Sequence, residues 1–239
     1  MNTNLNLIGR SMDLLKTNKF THIPAILKHD EKLNLEDWLN FKKSWHNLSL
    51  DHYMGDNGKY RYRRYSVLSW NSDSQTLSLE KHQPHYQDVY FNSLNGGIQR
   101  LFDPFETEIL NSSCFKKFVN FGVSVFNAVE PNVSWHIEAH QFRIVANNDY
   151  MSSPTPEGVH RDGRHYIFMT LIDKKNASGG VTSLYNDNKE LVTEVTLQDE
   201  GDTFLVHDES MMHGVSPIKK IDASKDAYRD TLVITYYRK

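Results

Sequence analysis

Tyr166-Ile167-Phe168-Met169-Thr170-Leu171-Ile172-Asp173 is a strand-length apolar run, and the chain on either side of it continues in the same manner. His136 to Ala146 precedes it as another strand. Ser178-Gly179-Gly180 turns into Val181 to Tyr185, and Leu191 to Leu197 follows. The Gly201-Asp202 turn leads into Thr203 to His207, and Met211 to Ser216 and Tyr228 to Tyr237 close the set. About seven short strands divided by Gly, Asn, Asp and Pro predict a sandwich or jelly roll. No βαβ alternation interrupts this half, so a parallel α/β sheet is not expected.

The front half is mixed. Ile8 to Asn18 can form a short helix with Met12, Leu14 and Leu15 on its apolar side. Asn34 has the chemistry of an N-cap for a helix carrying Trp38, Phe41, Trp45 and Leu48 at helical spacing. Lys59 to Trp70 reads as a strand, Asn71 to Gln87 as loop with one short strand, and Cys114 to Ala128 as a buried helix. The expected organisation is one domain over 1–239, with a helical flank over 1–58 and a jelly-roll core over 59–239 that contains the 114–128 helix. The expected class is therefore mainly β (α+β).

Bulk properties narrow the function. A chain of 239 residues fits one large domain with a sizeable core. With Lys+Arg 27 against Asp+Glu 30 the formal charge is -3, and no basic stretch suggests nucleic acid. The apolar runs are strand-length, so no membrane span is expected. Met1 to Arg10 lacks the charged start and apolar core of a secretory signal. One cysteine, Cys114, excludes an internal disulfide and points to a reducing compartment, so a soluble cytoplasmic protein is expected. Most of the aromatics are expected in the core and strands, and Cys114 has no support as a nucleophile.

The chemistry sits in Pro156-Glu157-Gly158-Val159-His160-Arg161-Asp162-Gly163, with His213 and Arg229 downstream. On extended backbone His160 and Asp162 point the same way and can reach one ion. Two imidazoles and one carboxylate can hold one face of an octahedral ferrous ion and leave three positions open. A nearby arginine can clamp the far carboxylate of a 2-oxo acid. His213, His207 and His165 all compete for the third ligand position.

The run Pro154 to Gly163, with Asn176 to Gly180, His213 to Ile218 and Tyr228 to Tyr236, resembles the iron(II)/2-oxoglutarate dioxygenases of the bacterial free amino-acid hydroxylase family, whose isoleucine and leucine hydroxylases are best known. The similarity runs from about Tyr60 to the end, while the front sixty residues match poorly. The resemblance implies a double-stranded β-helix, a distorted jelly roll of cupin type with flanking N-terminal helices. It implies Fe(II), 2-oxoglutarate and O2 as cofactors and co-substrates, with ascorbate as reductant in vitro. It also implies hydroxylation of a free amino acid, with an aliphatic or thioether side chain favoured. The metal ligands it implies are His160, Asp162 and His213, since the family's distal histidine precedes Gly-Val-Ser-Pro as His213 does. Asp162 favours hydroxylation over halogenation, because related halogenases carry a small residue there.

The same resemblance places the 2-oxoglutarate arginine at Arg229, with Thr231 on the same face adding a hydroxyl; a plain salt bridge of Arg229 to Asp230 or another surface carboxylate is the alternative. Gln141 and Arg143, two apart on one strand face, are expected inside the barrel and within reach of the 2-oxo acid or the substrate. Arg64 is a second candidate carboxylate clamp, and Glu157 a candidate for the substrate's ammonium group. A structural ion pair among these four is the competing reading. The loop Asn147 to Pro156 is either a lid or a solvated connection. A small-molecule substrate is expected, with no nucleic acid and no membrane, and a homodimer is left open. Two other classes compete: a cupin-like metalloenzyme that does not use 2-oxoglutarate, and a non-catalytic binding protein on the same barrel.

Overall fold

The computed structural model describes residues 3–26 and 34–239; Met1, Asn2 and residues 27–33 of the N-terminal flank lie outside it. Helix α1 (Thr3–Asn18) leads into β1 (Phe20–Ile23). Helix α2 (Leu35–Lys43) starts where the Asn34 side chain accepts from the backbone N–H groups of Glu36 and Asp37. It tightens into a 3-10 turn over Ser44–Asn47 that carries Trp45. Strands β2 (Ser49–Leu50), β3 (Arg61–Asn71) and β4 (Thr76–Leu79) follow. After a long connection come α3 (Thr107–Asn111) and α4 (Ser113–Val129), the latter capped by Ser112. The rest is strand: β5 (Trp135–Val145), β6 (Tyr166–Lys175), β7 (Ala177–Gly179), β8 (Val181–Tyr185), β9 (Leu191–Thr196), β10 (Thr203–His207), β11 (Met212–Val215), β12 (Ile218–Lys220) and β13 (Tyr228–Arg238).

These strands form two facing sheets. The major sheet runs β1-β10-β6-β13-β5-β3-β2, with β4 continuing from β3. The minor sheet is β11-β8-β9, with a small β7–β12 ladder beside it. The flank expected to be helical therefore also edges the major sheet, through β1 on one side and β2 on the other. Two strands this short carry no readable alternation.

Alternation along each major strand sends one set of side chains to the helices and the other to the minor sheet. Ile137, Ala139, Phe168, Leu232, Ile234 and Tyr236 pack with Trp38 and Phe41 of α2 and with Phe115, Phe118 and Phe126 of α4. Each such large apolar side chain contributes roughly 1.5–3 kcal/mol on full burial. On the opposite face Ile167, Met169 and Leu171 meet Leu184, Phe204, Val206 and Met211. Beyond this second cluster the two sheets do not close on each other. They enclose a cavity instead.

Candidate metal centre and active site

The cavity's wall on the major sheet follows from the register. β5 turns Glu138, His140, Phe142 and Ile144 inward, β3 turns Arg61 and Arg63, β6 turns Ile167 and Met169, and β13 turns Arg229, Thr231, Val233 and Thr235. From the other side come Pro154, Thr155, Glu157, His160, Asp162, His213 and Val215.

His160 and His213 face each other across an antiparallel bridge in which each backbone N–H donates to the other's carbonyl, at 2.9 and 2.8 Å. That reciprocal pair puts both imidazoles on one side, with ring centroids 4.5 Å apart. Asp162 lies two residues on, its carboxylate oxygens 3.4 Å from His160 Nε2 and 4.0 Å from His213 Nε2. One ligand atom from each of the three lies within 4.8 Å of the other two. His165 and His207 are elsewhere. His165 Nδ1 accepts from the Arg238 backbone N–H at 3.2 Å, and His207 Nδ1 pairs with Ser210 Oγ at 2.7 Å.

Local partners prepare these groups for a cation. His160 Nδ1 lies 3.0 Å from the Gly158 carbonyl, so a proton belongs there and Nε2 is the atom turned to the cavity, to take a second proton or a cation. The buried Asp208 carboxylate accepts from the backbone N–H groups of Asp162 and Arg164, at 3.1 and 3.0 Å, and fixes the turn that carries Asp162. His213 Nδ1 is buried without a hydrogen-bond partner, 3.8 Å from Asp208. Burial opposes a charge on His160, but its hydrogen bond to Asp162 and the Asp162 and Glu157 charges raise it to about 9. Burial, then the His160 charge, lowers His213 to about 4. The negative charge that favours a proton on His160 would equally favour a divalent cation, and the two neighbouring Nε2 atoms and one carboxylate suit a facial two-His, one-carboxylate site.

Arg229 enters the same cavity from the start of β13, where the register with β6 shifts between Asp230 and Thr231. It is buried, and among the described residues its side chain has one weak hydrogen-bond contact, to Met169 Sδ at 4.0 Å. Burial lowers it to about 10. The alternative pairing with Asp230 is not formed, because Asp230 faces the helices and takes Arg143 in a two-pronged contact at 2.8 and 2.7 Å. Gly180 makes room for Arg229: a Cβ there would stand 2.9 Å from Arg229 Nε.

Three sequence-derived pocket residues are outside the cavity. Gln141 and Arg143 do share a strand face, but it is the helix-facing one, where Gln141 Nε2 donates to Ser44 Oγ at 2.8 Å. Arg64 also points outward, donating to the carbonyls of Asn47 and Pro104. Glu157 is in the cavity, 3.4 Å from His160 Nε2. Sequence reasoning missed His85, Gln87, Asn92 and Arg100, all from the connection between β4 and α3, and the inward residues Arg61, Arg63, Glu138, His140 and Arg164. Of the 147–156 loop, Pro154 and Thr155 line the cavity. Ser152 pairs with Ile218, and Thr155 Oγ1 accepts from the Val215 N–H at 2.9 Å, so this end is a tethered wall.

A second group, His85, Glu138 and His140, also has ligand-like spacing. Its carboxylate and one of its imidazoles are already engaged, although His85 Nδ1 is buried without a hydrogen-bond partner. Glu138 accepts from Arg164 at 2.8 Å and from Tyr65 at 2.9 Å, and His140 Nδ1 meets Arg63 at 2.6 Å. Two guanidinium groups at its edge would repel a dication.

Comparison with known proteins agrees with this geometry. The family model described as 2OG-Fe dioxygenase matches residues 42–235. A 3(1)-hydroxy-L-isoleucine 4-dioxygenase of Pantoea ananatis is 27% identical, covering 86% of this chain and 84% of its own. An L-isoleucine-4-hydroxylase of Bacillus thuringiensis is 27% identical over 80% of this chain and 79% of its own. The crystal structure of a bsmA homolog from Methylobium petroleophilum superposes with a TM-score of 0.87 at 28% identity, covering 96% of this chain and 92% of that one. In the described residues no helix is long and apolar enough to cross a membrane. The family implies Fe(II), 2-oxoglutarate and O2, and the two-His, one-carboxylate cluster fits the metal. The chain belongs to the 2OG-Fe dioxygenase family.

Proposed function

We propose that this dioxygenase hydroxylates a free L-amino acid, with His160, Asp162 and His213 as the iron ligands and Arg229 as the anchor for 2-oxoglutarate. The observation that carries this reading is Arg229. A buried guanidinium without a carboxylate partner is costly unless a ligand supplies one, and this one opens into the cavity that holds the ligand cluster. A metal-only cupin that takes no anionic co-substrate would have no use for it.

Ferrous iron bound by the cluster would supply dioxygen activation coupled to decarboxylation of 2-oxoglutarate to succinate. In the balance, one oxygen atom enters the new hydroxyl and the other the succinate carboxylate as carbon dioxide leaves. The chain's own groups do the rest. Arg229 forks onto the C5 carboxylate, and Thr231 on the same inward face adds a hydroxyl donor. Gln87 Nε2 donates to the Asp162 carbonyl at 3.2 Å and lies 3.4 Å from its carboxylate, which steadies that ligand. Phe142, Ile167, Met169, Val215 and Val233 give the cavity an apolar wall suited to hydrocarbon. Glu157 receives the substrate's ammonium group.

The amino-acid substrate is supported by the two relatives named for isoleucine chemistry, and an aliphatic or thioether side chain fits the apolar wall. Cys114, buried in α4, is the one cysteine of the sequence, and a chain without an internal disulfide supports a cytoplasmic setting. The test is aerobic incubation with ferrous iron, ascorbate, 2-oxoglutarate and a pool of the protein amino acids, followed by mass spectrometry. One amino acid gaining a single oxygen atom, with succinate formed in step, is the expected result. Neither product from protein shown to contain iron would refute the reading.

A further inference from the structure

We propose that Arg100 is the anchor for the carboxylate of the substrate amino acid; this rests on the amino-acid reading above and extends it to a residue that fixes substrate class. Arg100 lies in the connection between β4 and α3, held by a two-way backbone bridge to His85 with both hydrogen bonds at 2.9 Å. The bridge places it in the wall of the cavity, where the residue is 2% exposed. Among the described residues its guanidinium has one hydrogen bond, a long one from NH2 to Gln87 Oε1 at 3.5 Å. Its Nε is buried with no partner.

Comparison with the other cavity arginines isolates it. Arg61 has the Asp51 carboxylate at 2.9 Å, and Arg164 has Glu138 at 2.8 Å. Arg63 lies 3.6 Å from Asp51, contacts His140 and stacks on the Phe102 ring at 3.7 Å. Arg229 is matched to the C5 carboxylate of 2-oxoglutarate. Arg100 alone among these five has neither a carboxylate within ion-pair distance nor an assigned ligand. A guanidinium keeps its charge in a protein interior, so such a site calls for an anion.

A complementary vacancy for a cation lies in the same cavity. Glu157 Oε1 accepts from Asn92 Nδ2 at 3.2 Å, but its Oε2 is buried with no donor. Arg100 feels the charges of Asp51, Glu157 and Glu138 around the cavity without an ion pair to any of them. A cation lacking an anion and a carboxylate oxygen lacking a donor, within one cavity, match the two ends of a zwitterion. Held at both ends, an α-amino acid can turn only its side chain towards the His160, Asp162 and His213 cluster, which orients one C–H bond for attack. The substrate class is then an amino acid with a free carboxylate, excluding carboxamides and residues within a peptide.

The test compares the amino acid found in the pool assay with its primary carboxamide, using iron-loaded wild type, Arg100→Met and Arg100→Lys. Removing one partner of a buried charge pair predicts a loss on the order of 100-fold in kcat/KM. Wild type should show that loss on passing from acid to amide. Arg100→Met should show it on the acid, with little further loss on the amide, and its KM for 2-oxoglutarate should stay near that of wild type. Arg100→Lys, which keeps the charge but not the fork, should fall between. Wild type that accepts the amide as readily as the acid overturns the assignment, even if Arg100→Met does not fold. So does an Arg100→Met enzyme that still prefers the acid as wild type does. Wild type that oxidises no amino acid refutes the amino-acid reading itself, and this assignment with it.

Discussion

Replacing Gly180 by alanine should damage 2-oxoglutarate binding by displacing Arg229, with every metal ligand and the anchor itself left in the sequence. The added Cβ would stand 2.9 Å from Arg229 Nε and 3.0 Å from both Arg229 Cδ and Ile218 Cδ1. Ordinary contact needs several tenths of an ångström more, so the guanidinium must retreat from the place that the fork requires. A hydrogen bond to a charged group is worth about 1.5–3 kcal/mol, and misplacing one should raise KM for 2-oxoglutarate by roughly 10- to 100-fold. A separate cost is paid by the backbone, because Gly180 has φ +70°. Alanine there loses about 1–2 kcal/mol, or roughly 2–8 °C in Tm for a chain of this size. Gly201→Ala supplies the control for the backbone cost, as it has φ +83° in the turn before β10, bonded to Leu171 and Ile26. Succinate formation against 2-oxoglutarate concentration, with a thermal melt, separates the two effects. Gly180→Ala with a lowered Tm but an unchanged KM would refute the claim that this glycine exists to seat Arg229.

Three further outcomes follow from the same geometry. His213→Ala should abolish turnover and iron retention, whereas His207→Ala should leave a measurable rate; iron content and succinate release check both, and the reverse pattern would overturn the ligand assignment. Arg143→Ala leaves the buried Asp230 carboxylate unpaired, so it should cost about 3 kcal/mol in urea unfolding while KM for both substrates stays put. A changed substrate KM would return Arg143 to the pocket. Burial works against the charge on Asp51, yet Arg61 and Arg63 overcome it and hold the carboxyl below its usual range. A depressed folded value stabilises fully above the unfolded value near about pH 4, and the contribution is lost as pH falls through the folded value. Asp51→Asn should therefore flatten the acid limb of stability against pH, and urea midpoints at falling pH that match wild type would count against it.

The jelly roll and the His160–Asp162 pair were legible because both are written locally, whereas the choice of His213 over His165 and His207 came from the family resemblance. His160 and Asp162 sit two apart in a turn-rich motif, and short strands punctuated by Gly and Asp mark the sandwich. What could not be read was which face of a strand looks inward. Period-two alternation correctly pairs Gln141 with Arg143, but β5 carries polar groups on both faces. The outward pair is satisfied by Ser44 and Asp230 beneath the helices, whereas Glu138 and His140 hold the inward positions. The same ambiguity put Arg64 forward in place of Arg61 and Arg63. Arg100, Gln87 and Asn92 were invisible for another reason. Their segment has no periodicity, and long-range contacts such as the His85–Arg100 bridge and the Gln87–Asp162 and Asn92–Glu157 hydrogen bonds bring it against the cavity.

The most direct test of the central claim uses isotopically labelled dioxygen with ferrous iron, 2-oxoglutarate and the amino acid selected from the pool. The account predicts label in succinate and in the new hydroxyl of the amino acid, with the two products formed one to one. Succinate without label, or succinate formed at the same rate whether or not the amino acid is present, would contradict it.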